Sequence, residues 1–269
     1  MLMLVVNLYY KENEMTRDRL KEEKVYRKDI AWNEEAILEF KELFYIEKDI
    51  SEKNERQWNG AIGDYYFDLL FMHYSVGDDI EVMKPILSET IKYKAIGWRT
   101  LHGTYADPEY FDLVTMISLG VLLDISNEEA LVLMKMRSVV PEHDIVLDSM
   151  LKTLLTTKQF EEYSKNFIDN GYREDVIGAI EPYGHIKPLL ELKDKKEQQK
   201  YMKNNYLKKW YGRCRKEMTW HDRHERDMNY YYGYWSFESV ALTKILGLDD
   251  SSYKDNKYYP KDMIREKNE

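Results

Sequence analysis

Glu238 is the residue of this 269-residue sequence whose position most invites a chemical role. It falls in a run of Tyr234, Phe237, Glu238, Ala241, Leu242, Ile245 and Leu248 whose spacing reads as the apolar face of a helix. A carboxylate on such a face must be paired or hydrogen-bonded, because burying it bare is prohibitive. Two readings follow. Glu238 is a catalytic acid, which with Asp249 or His224 would make a hydrolase, or it is a core glutamate satisfied by an Arg, His or Tyr from a neighbouring helix. The second is preferred. Cys214 beside His221 or His224 would make a nucleophile and base, but nothing in the spacing demands it, and a buried thiol is the simpler reading. His221 and His224, three apart, could share a helix face as metal ligands, with Asp222 and Glu225 near, yet no further ligand set stands out.

The remaining signatures of catalysis are missing: no phosphate-binding glycine loop, no nucleophile elbow, no metalloprotease helix motif. Adjacent acids such as Asp78 and Asp79 read as helix caps. The expectation is therefore a protein that is no enzyme and takes no metal or cofactor.

The elements that position these residues are helices. With 12 Gly and 6 Pro there are too few turn residues for a sandwich or barrel. Apolar residues recur at spacings of three and four almost throughout, as in Trp32, Ala36, Phe40, Leu43 and Phe44, which that spacing puts on one face. A second helix covers 53–74 and should end at Gly77, with Asp78 or Asp79 capping the next, over about 80–101. The stretch 109–124 is apolar nearly all round, so it is central. Ser126-Asn127-Glu128-Glu129 is a capping box, and helices are expected at 142–155, 158–169, 173–181 and 188–218. Residues 193–216 hold ten Lys/Arg against two Asp/Glu. Interleaved with Tyr201, Tyr206, Trp210 and Tyr211, they could suggest nucleic acid, but a solvated helix with its own apolar stripe is preferred. The prediction is an all-α, two-part helical bundle of roughly ten or more helices, dividing near residue 125.

The single cysteine, Cys214, permits no intrachain disulfide and suits a reducing, cytoplasmic setting. Met1 to Val6 lacks the basic flank of an export signal, and no stretch approaches the roughly 20 apolar residues of a membrane span. Met15 opens a strongly helical stretch, so residues 1–14 are compatible with an upstream start-site extension.

Charge is uneven. Residues 1–125 carry 15 Lys/Arg against 24 Asp/Glu, and residues 126–269 carry 25 of each, so the whole excess of −9 lies in the first half. Such asymmetry disfavours nucleic acid and favours a basic protein partner.

A resemblance gives the partner a class. Tyr232-Gly233-Tyr234-Trp235-Ser236-Phe237-Glu238, then Ile245-Leu246-Gly247-Leu248-Asp249-Asp250-Ser251-Ser252, then Tyr258-Tyr259-Pro260, resembles the C-terminal signature of the PoNi family. In the other half, Tyr74-Ser75-Val76-Gly77-Asp78 with Lys84-Pro85 is similar to the family's N-terminal turn. Val76 replaces the usual Ala, and Lys261 stands where an aromatic residue is expected. PoNi proteins are immunity partners of PoNe-type DNase toxins. The resemblance covers roughly residues 16–262 and implies an all-helical, two-part chain that inhibits a toxin directly.

The expected domains are an acidic one over 15–125 and one over 126–262 carrying the signature, whose Tyr232, Gly233, Tyr234, Trp235, Phe237, Glu238, Asp249 and Asp250 should hold the C-terminal half together. The expected partner is a cognate toxin, a DNase with a basic groove, with neither nucleic acid nor membrane contacted directly. By charge alone its contact should fall on Asp64, Asp68, Asp78, Asp79, Glu81, Asp107, Glu109 and Asp112. A helical adaptor without inhibitory activity explains the helices and charge equally well but not the signature.

Overall fold

In a computed structural model of the chain, the apolar periodicity resolves into helices joined by short capped turns. Residues 16–46, 51–98, 107–139, 143–165, 181–214, 220–225 and 230–264 are described, and no strand occurs among them. The architecture is all-α in two parts. The suggested extension at 1–14 and all but the last residue of the helix expected at 173–181 lie outside the described residues.

Helices α1 (Glu23–Ile46) and α2 (Glu52–Val76) pack against each other, and α3 (Met83–Gly97) lies on α2. Ser51 caps α2 by accepting from the Asn54 amide. Gly77 ends it at φ 98°, a left-handed conformation that a side chain would strain, and its amide bonds to His73 and Tyr74 carbonyls. Asp79, not Asp78, caps the following turn, Ile80–Val82. Helix α4 (Asp107–Leu123) is central as expected: Tyr110, Leu113, Val114, Met116, Ile117 and Leu119 are fully buried. Its polar strip is internal too, with Ser118 Oγ donating to the Val114 carbonyl. Side chains buried to this extent contribute about 1.5–3 kcal/mol each.

The Ser126–Glu129 capping box opens α5 (Asn127–Arg137), Asp144 caps α6 (Ile145–Leu154), and a second box, Thr156 with Gln159, opens α7 (Thr157–Ser164). The segment read as one helix over 188–218 is broken. Helix α8 (Ile186–Glu191) stops, Asp194 recaps the chain, and α9 (Lys195–Tyr201) passes through a π-helical turn, Met202–Leu207, into α10 (Lys208–Cys214). The side chain of Asp194 accepts from the Glu197 amide, which is why a new helix starts there. Its lysines face solvent while Met202, Tyr206, Leu207 and Trp210 face the core.

Helix α11 (Phe237–Leu246) packs on α4 and α6. Elements on either side of residue 125 therefore share one core. Two readings of local pattern are corrected. Tyr234 lies in an extended segment, 230–236, ahead of α11 rather than on it. On α1, Ala36 is buried and Phe40 packs partly buried against the core, but Trp32 and Leu43 stand half exposed at the edge of that face.

Candidate functional site

The two quoted motifs meet. The extended segment 230–236 crosses the end of α2, where Ser75 is fully buried. Ser75 Oγ donates to the Tyr232 carbonyl at 2.8 Å and accepts from Trp235 Nε1 at 2.7 Å. The Trp235 ring sits edge-on to Tyr74, centroids 4.8 Å apart. Gly233 permits this approach. Its φ is +94°, and a Cβ there would lie 2.1 Å from Ser75 Oγ. The tyrosines before it reach further into the N-terminal half. Tyr231 donates to Asp18 at 2.5 Å, and Tyr230 donates to Asp68 and, at 2.9 Å, to Asn33. Arg17 closes the joint by pairing with Asp262 at 2.6 Å while donating to the Tyr74 and Asp78 carbonyls. The signature thus fastens one half of the chain to the other, not only the C-terminal half to itself.

Glu238 is occupied. Its Oε1 accepts from Tyr206 Oη at 2.8 Å, Trp210 Nε1 at 2.7 Å and Ser236 Oγ at 2.6 Å. Burial raises its pKa against the pull of those donors. Neither Asp249 nor His224 is among these partners. Asp249 accepts from the Ser251 amide and hydroxyl, and Asp250 from Tyr259, so both serve the turn after α11. His224 is held by Tyr234 Oη at 2.9 Å, and the His221 ring stacks on Tyr211 at 4.1 Å. Burial pushes the Cys214 thiol up, the opposite of what a nucleophile needs. A groove of about 530 Å³ opens beside the joint between Arg17, Tyr74, Trp235 and Tyr258, but Glu238 does not line it.

The eight acidic residues chosen by charge have unequal fates. Asp64 and Asp112 close on buried Lys94, the latter at 2.5 Å. Burial pushes Asp68 up to about 7, against the hydrogen bond from Tyr230. Burial would raise Asp78 as well, but His73 at 2.6 Å and Arg27 at 2.7 Å hold it at about 2. Asp79 caps the Glu81 amide at 2.9 Å, and Glu81 pairs with Lys84 at 3.0 Å. One carboxylate oxygen of Glu109 is buried without a hydrogen bond among the described residues. Asp107 opens α4, and its side chain lies outside the described residues. Of these acids Asp64, Asp79 and Glu81 are exposed, whereas Asp68, Asp78 and Asp112 are engaged in holding the fold.

Two groups escaped the sequence reading. Asp18, Asp29 and Asn33 receive the tyrosine strap, and their signal was three consecutive tyrosines opposite an N-terminal half rich in acids. The outward face of α1 is the other, and it was hidden because Trp32 and Leu43 were placed with the core.

Two family models match the chain. One, described as PoNe immunity protein (PoNi), N-terminal, spans residues 17–135, and the other, PoNe immunity proteins (PoNi), C-terminal, spans 143–263. The joint at Ser75 and Trp235 therefore ties one matched stretch to the other. No curated protein and no solved structure matches the chain.

Proposed function

Because the chain belongs to the PoNi family of PoNe immunity proteins, we propose that it protects its producer by binding and neutralising a cognate PoNe-type toxin, a DNase, in the cytoplasm. The match of both family models across both halves carries this reading. Side-chain occupancy is in keeping with it: Glu238, His221 and His224 are engaged in contacts within the chain, and Asp249 serves the turn after α11. No helix among the described residues is long and apolar enough to cross a membrane.

A nuclease must present positive charge to the DNA backbone. A partner with a net charge of −9, all of it in residues 1–125, is attracted to such a surface and competes with DNA for it. Exposed Asp79 contributes to that field, whereas Lys94 offsets Asp64 and Asp112, Lys84 offsets Glu81 and Arg27 offsets Asp78. The test is coexpression with a cognate PoNe-type nuclease domain. Growth of a sensitive bacterium should be restored. Growth arrest that persists with the chain soluble and abundant would overturn the reading.

A further inference from the structure

Seven large hydrophobic side chains stand exposed among the described residues, and four of them, Trp32, Leu38, Leu43 and Ile46, belong to α1. Their exposures of 50%, 57%, 53% and 72% are far from those of a core face. Helical spacing turns Ile30, Asn33, Ile37 and Phe40 toward α2 and leaves Ile46 on the far side, with Trp32 and Leu43 along one edge of the exposed surface and Leu38 along the other. Solvated monomers rarely gather exposed apolar residues on one helix face, and such a patch marks an interaction surface.

The same face is negatively charged. Glu34, Glu35, Glu39 and Glu42 are exposed between and beside these apolar residues, and none has an ion-pair partner among the described residues. Lys41 is the only basic residue between Asp29 and Ile46, and it turns away to Tyr66 Oη at 2.8 Å. Trp32 is braced edge-on by Tyr65 and Tyr230, at 5.6 and 5.8 Å between centroids, so its ring is presented in a fixed pose. A half-exposed, braced tryptophan within a charged rim is the arrangement of an interface anchor.

We propose that the outer face of α1, from Trp32 to Ile46, is the surface that docks the toxin, its apolar side chains packing on apolar groups of the nuclease while its glutamates face the positive charge around them. This rests on the function proposed above and locates it. A second copy of the chain fits this face poorly. An antiparallel pairing centred on the apolar residues would set the four glutamates of one copy against those of the other, which is repulsive.

The experiment measures binding of the full chain to a purified cognate PoNe-type nuclease domain. Trp32→Ala, and separately Leu38→Ser with Leu43→Ser, should each weaken binding roughly 30-fold or more. The leucine pair touches solvent rather than the strap, so its thermal melt should be unchanged. Glu161→Lys with Glu162→Lys, exposed on α7, should bind like the wild type. Wild-type binding that the α1 variants leave intact overturns the docking face and spares the proposed function. A wild-type chain that does not bind overturns both. A chain dimer that sedimentation detects and the leucine pair dissolves assigns the face to a second copy, which also overturns the proposal.

Discussion

Trp235 Nε1 donates to Ser75 Oγ at 2.7 Å, a contact that spans 160 residues of sequence and lies wholly in the interior. Because Ser75 passes the bond on to the Tyr232 carbonyl, one hydroxyl fastens the 230–236 segment to the end of α2 at two points. Its removal strands an indole N–H in a site that water does not reach. Ser75→Ala should cost about 1–3 kcal/mol, and Trp235→Ala about 3–5 kcal/mol through lost packing. Both should lower a single cooperative urea transition. Two separated transitions in the wild type, one for each half, would contradict a shared core.

Gly233 sets a stricter limit at the same place. Gly233→Ala adds a methyl group 2.1 Å from Ser75 Oγ and 2.8 Å from Trp235 Nε1, at a φ that L side chains rarely adopt. Destabilisation well above the ~1 kcal/mol of an ordinary glycine substitution is expected. Gly212→Ala, where no atom lies within 4 Å, is the matched control and should melt at or slightly above the wild-type temperature.

Glu238→Ala removes the acceptor of three buried donors and should cost at least about 3 kcal/mol. Glu238→Gln, which keeps the shape and one acceptor, should lose less stability and should still protect cells when overexpressed. Protection abolished at wild-type stability would return Glu238 to a functional role.

The end of α2 at Gly77, the capping box that opens α5 and the central place of α4 were legible because each has a local cause: Gly77 after an apolar run, Ser126 three before Glu129, an apolar stretch nearly all round. The presence of a buried carboxylate at 238 was legible for the same reason, since burial follows from its neighbours along the helix. The joint was not. Its two motifs were visible as words, but that Ser75 sits between Tyr232 and Trp235 is a contact between distant segments. Nor does composition distinguish an acid that faces solvent from one that grips Lys94 or Arg27. The sequence charge of the N-terminal half therefore pointed to a basic partner while naming several residues that the fold keeps for itself.

Asp68 gives that distinction a pH signature. Its folded pKa of about 7 lies above the unfolded value near 3.8, so the protonated form is favoured by folding. Its contribution to stability is full below about pH 4 and is lost as pH rises through about 7. Asp68→Asn has no such slope. The stability of the variant relative to the wild type should therefore rise between pH 5 and pH 8, as read by paired urea melts in which other titrating groups cancel. A difference that is flat with pH would contradict the burial of this carboxylate against Tyr230.

The central claim, that this chain silences a PoNe-type nuclease by direct contact steered by its acidic half, is tested most directly by titrating it into the nuclease domain while DNA cleavage is followed. Charge reversal belongs at Glu35, Glu39 and Glu42, because reversing Asp78 would also break its bonds to Arg27 and His73. Screening shortens from roughly 10 Å at 0.1 M salt to about 3 Å at 1 M, so inhibition should set in more slowly at high salt and in the triple reversal. The account predicts cleavage abolished at stoichiometric amounts of the chain, with an onset that slows as salt rises. Undiminished cleavage in molar excess of folded chain would contradict it.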